Sequence, residues 1–252
     1  MERVELPVIL LIHGFAAHTG WWHFVAPLLT TGHRVVALDL SGMGESDHRS
    51  SYPASWAASD IIGAIEALGL GSVVGIGHSA GGMRLLMAAA RRPDLFQRLI
   101  ALDSYIVFAG DRHPHPERPQ GIAGSKLYPD LATILSRYRL LPDQLQSRSW
   151  ARRYIARQSV KPVEGGWRWK FDPSLPVEAH LEPDGSDLLP RVHAPVHYVW
   201  AENSELVPVE LARRIVSLLP HGHGPIGMPG THHHMMFDQP EALVATLRAL
   251  IA

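Results

Sequence analysis

The chain contains no cysteine, and its formal net charge over 252 residues is only -1. The absence of cysteine excludes disulfides, thiolate metal ligands and thiol catalysis, although it does not identify the compartment. The balanced charge gives no sign of a nucleic-acid-binding surface or of a strongly anionic partner. Histidine is abundant instead, and its sixteen copies make the net charge drift positive below about pH 6.5.

Long hydrophobic runs are also missing. The first apolar run, Val8 to Ile12, is too short for a membrane span or for the core of a signal peptide. The preceding stretch, MERVELP, carries acidic residues where a signal peptide carries basic ones. We therefore expect a soluble, cytoplasmic protein with no membrane partner. A hydrophobic content of 46% in a chain of this length predicts a substantial core.

Short apolar segments recur along the chain, bounded by glycine or polar residues: PVILLIHG, HRVVALDL, SVVGIGHS, RLIALDS and VHYVWA. They predict strands buried on both faces. Helical patterns lie between several of them, with these apolar faces: Trp56, Ile61, Ile65 and Leu68; Leu85, Ala88 and Ala89. Two further helices are predicted to begin at Pro208 and near Asp238. This alternation predicts an α/β fold, in which helices cover both faces of a mostly parallel sheet.

The alternation of strands and helices breaks between Ser104 and about Asp187. This segment contains the proline-rich DRHPHPERPQG, the helical patterns DLATILSRYRLL and SWARRYIARQ, and GGWRWKFDP, where tryptophan alternates with basic residues. We interpret residues 104–187 as a helical lid, inserted after the strand that ends at Asp103, and residues 1–103 and 188–252 as the core. A linker or a second domain is the alternative, but roughly 80 residues exceed what a linker needs.

The segment GIGHSAGG follows a predicted strand and precedes a predicted helix. Gly77, Ser79 and Gly81 form the pattern G-x-S-x-G, which in this context predicts a nucleophile elbow that exposes Ser79 Oγ. The amide of Ala80, at the start of the helix, is placed to stabilise an oxyanion. A second donor is expected in HGFAAHTGWW, where the amide of Phe15 would face Ser79 from the opposite side.

The motifs LLIHGF, VVALDLSGMGESD and GIGHSAGG, followed by a histidine-rich loop before DQPEAL, resemble the α/β-hydrolase superfamily in order and spacing. The resemblance covers nearly the whole chain and favours a serine esterase-like branch with a helical lid. Because little sequence precedes the first strand, where the family usually has an antiparallel hairpin, we expect a sheet shortened at its N-terminal edge. The resemblance also implies that Asp39 belongs to a structural turn, in which Gly42 and Gly44 serve backbone geometry.

The loop THHHMMFDQP offers three histidines as the base. The resemblance places the catalytic histidine seven residues before the proline of the final helix, which selects His233; His232 and His234 remain alternatives. A metal site is the rival interpretation. However, three consecutive histidines do not easily converge on one ion, and no distant histidine or carboxylate lies at ligand spacing. We therefore expect no metal and no cofactor.

The acid that orients the base is not obvious. The family's commonest acid follows the strand HYVWA, at a position where this chain has Ser204, and serine cannot supply a negative charge. Asp103 ends the neighbouring strand; because adjacent strands lie about 4.8 Å apart, an acid on either strand could reach the same imidazole. Some branches of the family place the acid there. We favour Asp103 and keep Glu205 and Glu202 as alternatives.

By resemblance, these residues predict hydrolysis of a small carboxylic ester through an acyl-enzyme, with thioester, lactone and carbon-carbon bond cleavage as alternatives. The substrate-pocket candidates are His13, Trp21, Trp22, His78, Trp150 and Trp167, although aromatic residues of a lid more often form its core. Two other classes stay open. One is a cofactor-free oxygenase or lyase; the other is a ligand-binding degenerate hydrolase, which only the missing acid at Ser204 supports.

Overall fold

The computed structural model describes residues 6–53, 55–110, 126–144, 147–175 and 183–252. The strands are β1 Val8–Ile12, β2 Arg34–Leu38, β3 Val73–His78, β4 Phe96–Leu102, β5 Val160–Val163, β6 Gly166–Trp169, β7 Val196–Ala201 and β8 Gly222–Met228. Six of them form a parallel sheet in the order β2-β1-β3-β4-β7-β8. The predicted α/β fold with a mostly parallel sheet is confirmed.

The helices are α1 Trp56–Ala67, α2 Ala80–Arg91, α3 Leu131–Leu135, α4 Ser149–Gln158, α5 Gly185–Leu188, α6 Val209–Leu218, α7 Met235–Asp238 and α8 Pro240–Ile251. Two hydrophobic clusters flank the sheet, because side chains alternate between the faces of a strand. In β1, Leu10 and Ile12 join the cluster under α1, α2 and α6, whereas Ile9 and Leu11 join the cluster under α8. Within the described part of the chain, no helix combines the length and the apolar character needed to cross a membrane.

Three details differ from the sequence prediction. Strand β8, with the sequence GHGPIGM, was not predicted; its glycines and proline give no strand pattern, and it is tolerated at the edge of the sheet. Leu68 is 55% exposed, because α1 ends one residue before it. Asp238 is the last residue of α7 rather than the N-cap of α8, a position that Gln239 takes. Among the described residues no strand precedes β1, as expected for a shortened edge.

The segment between β4 and α5 contains α3, α4 and an antiparallel hairpin formed by β5 and β6. Tyr128, Ile134 and Val160 form a small apolar cluster of its own, which Trp167 and Trp169 cover. Within GGWRWKFDP, the residues Gly166–Trp169 form strand β6 of this hairpin. The whole of the proline-rich DRHPHPERPQG lies outside the described residues. The assignment of residues 104–187 as a lid stays a prediction.

Candidate active site

Ser79 sits at a sharp turn between β3 and α2. Its φ is 54°, a conformation that L residues other than glycine rarely adopt and that is found where function requires strain. Small neighbours make the turn possible: a Cβ on Gly77 would lie 2.6 Å from the backbone of Gly81, and a Cβ on Gly81 would lie 2.4 Å from the carbonyl oxygen of His13. The G-x-S-x-G spacing therefore reflects backbone contacts on both sides of the serine.

A continuous chain of hydrogen bonds links Ser79 to Asp103 through His233. His233 Nε2 lies 3.0 Å from Ser79 Oγ, and His233 Nδ1 lies 2.7 Å from Asp103 Oδ2. Because a carboxylate only accepts, Nδ1 carries the proton and Nε2 is left to accept the serine hydroxyl. His233 and Asp103 are both fully buried. The structure thus brings together the three residues that the sequence selected.

Asp103 follows β4 and is held by further donors. The amide of Ala201 donates to its Oδ1 over 3.1 Å, and the hydroxyl of Ser204 donates to its Oδ2 over 2.6 Å. Ser204 therefore supports the carboxylate from the position where the family's commonest acid stands. Sequence reasoning missed this role, although the predicted adjacency of the two strand ends contained the signal.

The two alternative acids lie elsewhere. Glu202 and Glu205 are exposed, and the carboxylate of Glu202 accepts the amide of Gly230 over 2.9 Å. The structure gives neither of them a contact with His233, whose Nδ1 is occupied by Asp103. Ser204 itself faces Asp103, and the choice of Asp103 over the two glutamates as the acid stays a prediction.

The loop after β1 passes close to Ser79. A Cβ on Gly14 would lie 3.3 Å from the Cβ of Ser79, and the chain turns back through Ala16, whose φ is 51°. Phe15 lies within this turn and packs against the core. On the other side of Ser79, Ala80 begins α2, where the first amides have no partner inside the helix. Both residues named for the oxyanion hole therefore neighbour the serine.

The other two loop histidines point in different directions. The amide and ring Nδ1 of His232 both bond to the carboxylate of Asp238. His234 is buried; its amide donates to Gln144, and its Nε2 donates to the carbonyl oxygen of Pro142 over 3.2 Å. The segment between β4 and α5 thus holds the histidine loop.

His78, the last residue of β3, joins His233 and His234 in a buried cluster. Its Nε2 donates to the carbonyl oxygen of His233 over 2.9 Å. The ring centroids of His78 and His234 each lie 4.8 Å from that of His233. Burial, reinforced by the nearby His233, holds the pKa of His78 and the pKa of His234 well below the usual 6.5, so both rings are neutral. The expectation that no distant histidine approaches the loop is corrected, because the fold carries His78 there.

Only part of the predicted pocket surrounds this cluster. Trp21 stacks on His78 with centroids 6.1 Å apart and contacts Phe237 at 4.9 Å. The other tryptophan candidates lie apart from this cluster, and their place in the pocket stays a prediction. Trp22 is buried in the core beneath the loop, Trp150 is 45% exposed and packs on Phe24, and Trp167 packs within the hairpin cluster.

His13 and Asp39 hold loops in place. His13 donates through Nδ1 to the carbonyl oxygen of Gly14 and accepts the amide of Leu40 at Nε2. Both ring nitrogens are therefore used, and burial lowers its pKa to about 4. Asp39 accepts the amides of Thr19 and Glu45, as a structural turn requires. Both bonds of His13 hold its ring in place, and the role of His13 in lining the pocket stays a prediction.

A buried histidine connects the loop after β1 to the segment that follows β4. His18 Nδ1 accepts the amide of Gly20, so its Nε2 carries the proton and donates to Ser159 over 3.0 Å. The hydroxyl of Ser159 donates onward to the carbonyl oxygen of Ile155 over 2.7 Å. Burial lowers the pKa of His18 to about 3. Sequence reasoning missed this contact, which has no local pattern.

Comparison with known proteins identifies similar hydrolases. A model of the alpha/beta hydrolase family matches residues 9–246. The chain is 29% identical to a 2-(acetamidomethylene)succinate hydrolase of Mesorhizobium japonicum, over 99% of this chain and 88% of that protein. The crystal structure of an E-2-(acetamidomethylene)succinate hydrolase is similar with a TM-score of 0.82, at 27% identity, over 97% of this chain and 91% of that one. A thioesterase domain from the curacin biosynthetic pathway reaches a TM-score of 0.78 at 26% identity, over 97% and 92%.

Proposed function

We propose that this chain, which belongs to the alpha/beta hydrolase family, is a serine hydrolase that cleaves a small carboxylic ester through an acyl-enzyme intermediate. The hydrogen-bonded chain from Ser79 through His233 to Asp103 supports this proposal most strongly. A hydroxyl on a strained turn, an imidazole within bonding distance and a buried carboxylate behind it are the parts that nucleophilic acyl transfer requires.

The mechanism assigns one task to each group. Ser79 Oγ attacks the acyl carbon while His233 Nε2 takes the hydroxyl proton, and Asp103 stabilises the imidazolium that forms. The amides of Phe15 and Ala80 hold the oxyanion. His233 then delivers the proton to the departing alkoxide, leaving the acyl group on Ser79. Water, deprotonated by the same imidazole, attacks that ester and releases the acid. The steps use no metal and no cofactor.

The acyl group would lie against Trp21 and Phe237, which border the histidine cluster. These rings form an apolar wall that suits a modest-sized acyl chain. A second candidate reaction is amide hydrolysis, favoured by the nearly full-length match to a hydrolase whose substrate, by its name, carries an acetamido group. The same residues serve, with an amine in place of the alkoxide.

The test compares the wild type with Ser79→Ala on p-nitrophenyl esters of increasing chain length, on an acyl thioester and on 2-(acetamidomethylene)succinate. We expect ester turnover to fall at least about a thousandfold in Ser79→Ala. Ser217→Ala, a change at an exposed serine of α6, serves as the matched control and should behave as wild type. A fluorophosphonate should label Ser79, identified by mass spectrometry of the modified peptide.

Three results would count against the proposal. Intact ester turnover in Ser79→Ala would exclude the serine as the nucleophile. Oxygen uptake with an aromatic hydroxy-ketone, without ester turnover, would support a cofactor-free oxygenase. Tight binding of esters or amides with no turnover would support a ligand-binding protein.

A further inference from the structure

The histidine cluster beside Ser79 contains ring nitrogens that have no hydrogen-bond partner and no task in the hydrolytic mechanism. His78 and His234 each donate through Nε2 to a carbonyl oxygen, so in both rings Nδ1 must hold a free lone pair. Within the described part of the chain, both Nδ1 atoms are buried and have no hydrogen-bond partner. Buried polar atoms without a partner are uncommon and call for a ligand.

The third member of the cluster, His233, also offers a lone pair, on its Nε2. Its Nδ1 donates to Asp103, so Nε2 accepts the Ser79 hydroxyl in the resting enzyme. Each of the three rings therefore has one nitrogen that donates no hydrogen bond and can offer a lone pair. Neutral imidazole is a preferred ligand of zinc, copper and nickel.

The separations suit a single ion. One ring nitrogen from each of the three histidines lies within 4.8 Å of the others. An ion at the centre of a triangle with sides of 4.8 Å is about 2.8 Å from each corner, whereas Zn–N bonds are about 2.0–2.1 Å long. Each ring therefore needs to move inward by no more than about 0.7 Å, and water can supply the fourth ligand.

We propose that His78, His233 and His234 form a binding site for a divalent transition-metal ion, and that occupancy of this site switches the hydrolase off. The ion takes the lone pair of His233 Nε2, which the Ser79 hydroxyl requires for deprotonation. Asp103, bonded to the other nitrogen of His233, strengthens this ligand as carboxylates do behind metal-bound histidines. The inhibition rests on the proposed hydrolytic function, whereas the metal site does not.

The first experiment measures binding without activity. EDTA-treated protein is titrated with zinc chloride by isothermal calorimetry, using wild type, His78→Asn, His234→Asn and, as matched control, His232→Asn. His232 lies on the same loop but bonds to Asp238 outside the cluster. We expect one ion per wild-type chain, binding weakened by about tenfold or more in the first two variants, and unchanged binding in the control.

A second measurement guards against misfolded variants. Cobalt(II) added to the wild-type protein should give the visible absorption typical of tetrahedral nitrogen and oxygen ligation, and zinc should abolish it. Circular dichroism checks that each variant is folded. No stoichiometric binding by the wild type, or equal weakening by all three substitutions, would overturn the metal site.

The third measurement tests the switch. Zinc should inhibit p-nitrophenyl butyrate hydrolysis with a midpoint equal to the calorimetric dissociation constant, and EDTA should restore the rate. Binding without inhibition would overturn the switch, as would zinc-stimulated turnover that persists in Ser79→Ala, because the ion would then be catalytic. If the wild type hydrolyses no ester, the proposed function fails, while calorimetry and the cobalt spectrum still decide the metal site.

Discussion

Replacing Asp103 by asparagine should reverse the hydrogen bond on which the proposed base depends. Every neighbour of the carboxylate donates to it: the amide of Ala201, the hydroxyl of Ser204 and Nδ1 of His233. If the asparagine oxygen stays with Ala201, its NH₂ group faces His233 and donates to Nδ1. The imidazole proton then moves to Nε2 and points at Ser79, where it prevents deprotonation.

The expected loss follows from this tautomer. A triad aspartate changed to asparagine lowers kcat by about 10⁴-fold, which corresponds to about 5 kcal/mol of transition-state stabilisation. Rotating the amide does not rescue the site. The NH₂ group would then oppose the amide of Ala201, which lies 3.1 Å from Oδ1, and that buried donor would lose its acceptor at a cost of about 1–3 kcal/mol.

The assay measures kcat and KM for p-nitrophenyl butyrate in wild type, Asp103→Asn, Glu202→Gln and Glu205→Gln. The loss should appear in kcat, because Asp103 acts through His233 and does not touch the substrate. Each of the two glutamine variants removes one negative charge from an exposed side chain, so kcat and KM should equal those of the wild type. Activity of Asp103→Asn within about tenfold of wild type, together with a large loss in either glutamine variant, would refute the assignment.

Three further predictions follow from named contacts. Ser204→Ala removes the hydrogen bond that the hydroxyl donates to the Asp103 carboxylate, a bond to a charged acceptor worth about 1.5–3 kcal/mol. We expect kcat to fall about tenfold in Ser204→Ala and to recover in Ser204→Thr, which keeps a hydroxyl. Unchanged kcat in Ser204→Ala would show that the hydroxyl does not position Asp103. In the wild type, only the unfolded chain protonates His18 between pH values of about 6.5 and about 3, because the pKa of His18 is lowered in the folded protein. His18 therefore lowers the free energy of unfolding by up to about 1.4 kcal/mol for each unit by which the pH falls in this range. His18→Asn should remove this contribution and make the free energy of unfolding depend less on pH. Urea unfolding at several pH values measures that slope, and a variant with the wild-type slope contradicts the assignment. Gly77→Ala forces a Cβ onto the backbone of Gly81 and should lower stability by about 3 kcal/mol or more, whereas Gly63→Ala, in open space on α1, should stabilise by about 0.5–1 kcal/mol; similar urea midpoints for the two would refute the packing argument.

Much of the fold could be predicted because its central strands are continuous apolar runs. Strands β1, β3, β4 and β7 are buried on both faces or nearly so, and such strands stand out in the sequence. The edge strand β8 is half exposed and contains glycine and proline, so its pattern is that of a loop. Whether a strand can be predicted from its sequence therefore depends on its position in the sheet, which the sequence does not reveal.

The candidate site divides in the same way. Ser79 could be selected from its motif and Asp103 from the end of its strand, whereas His233 was selected through the family resemblance. The convergence of His78 on His234 could not, since it depends on how the loop after β8 folds back over β3. The aromatic candidates could not be placed for a related reason: a tryptophan predicts burial but not the cavity that it faces, and Trp22 is buried in the core.

The proposed nucleophile and the proposed acid follow adjacent inner strands, paired through His78 and Leu102, and the amide of Ser79 donates to the carbonyl oxygen of Leu102 over 2.9 Å. The proposed base instead follows β8, which pairs with only one strand in the described part of the chain and is about half exposed. Two of the three groups therefore lie on inner strands, and the third follows an edge strand, where we expect local opening to need less free energy. Mild heat or denaturant should abolish activity by detaching β8 while the rest of the sheet stays folded. Loss of activity would then report local unfolding at β8 and not global unfolding.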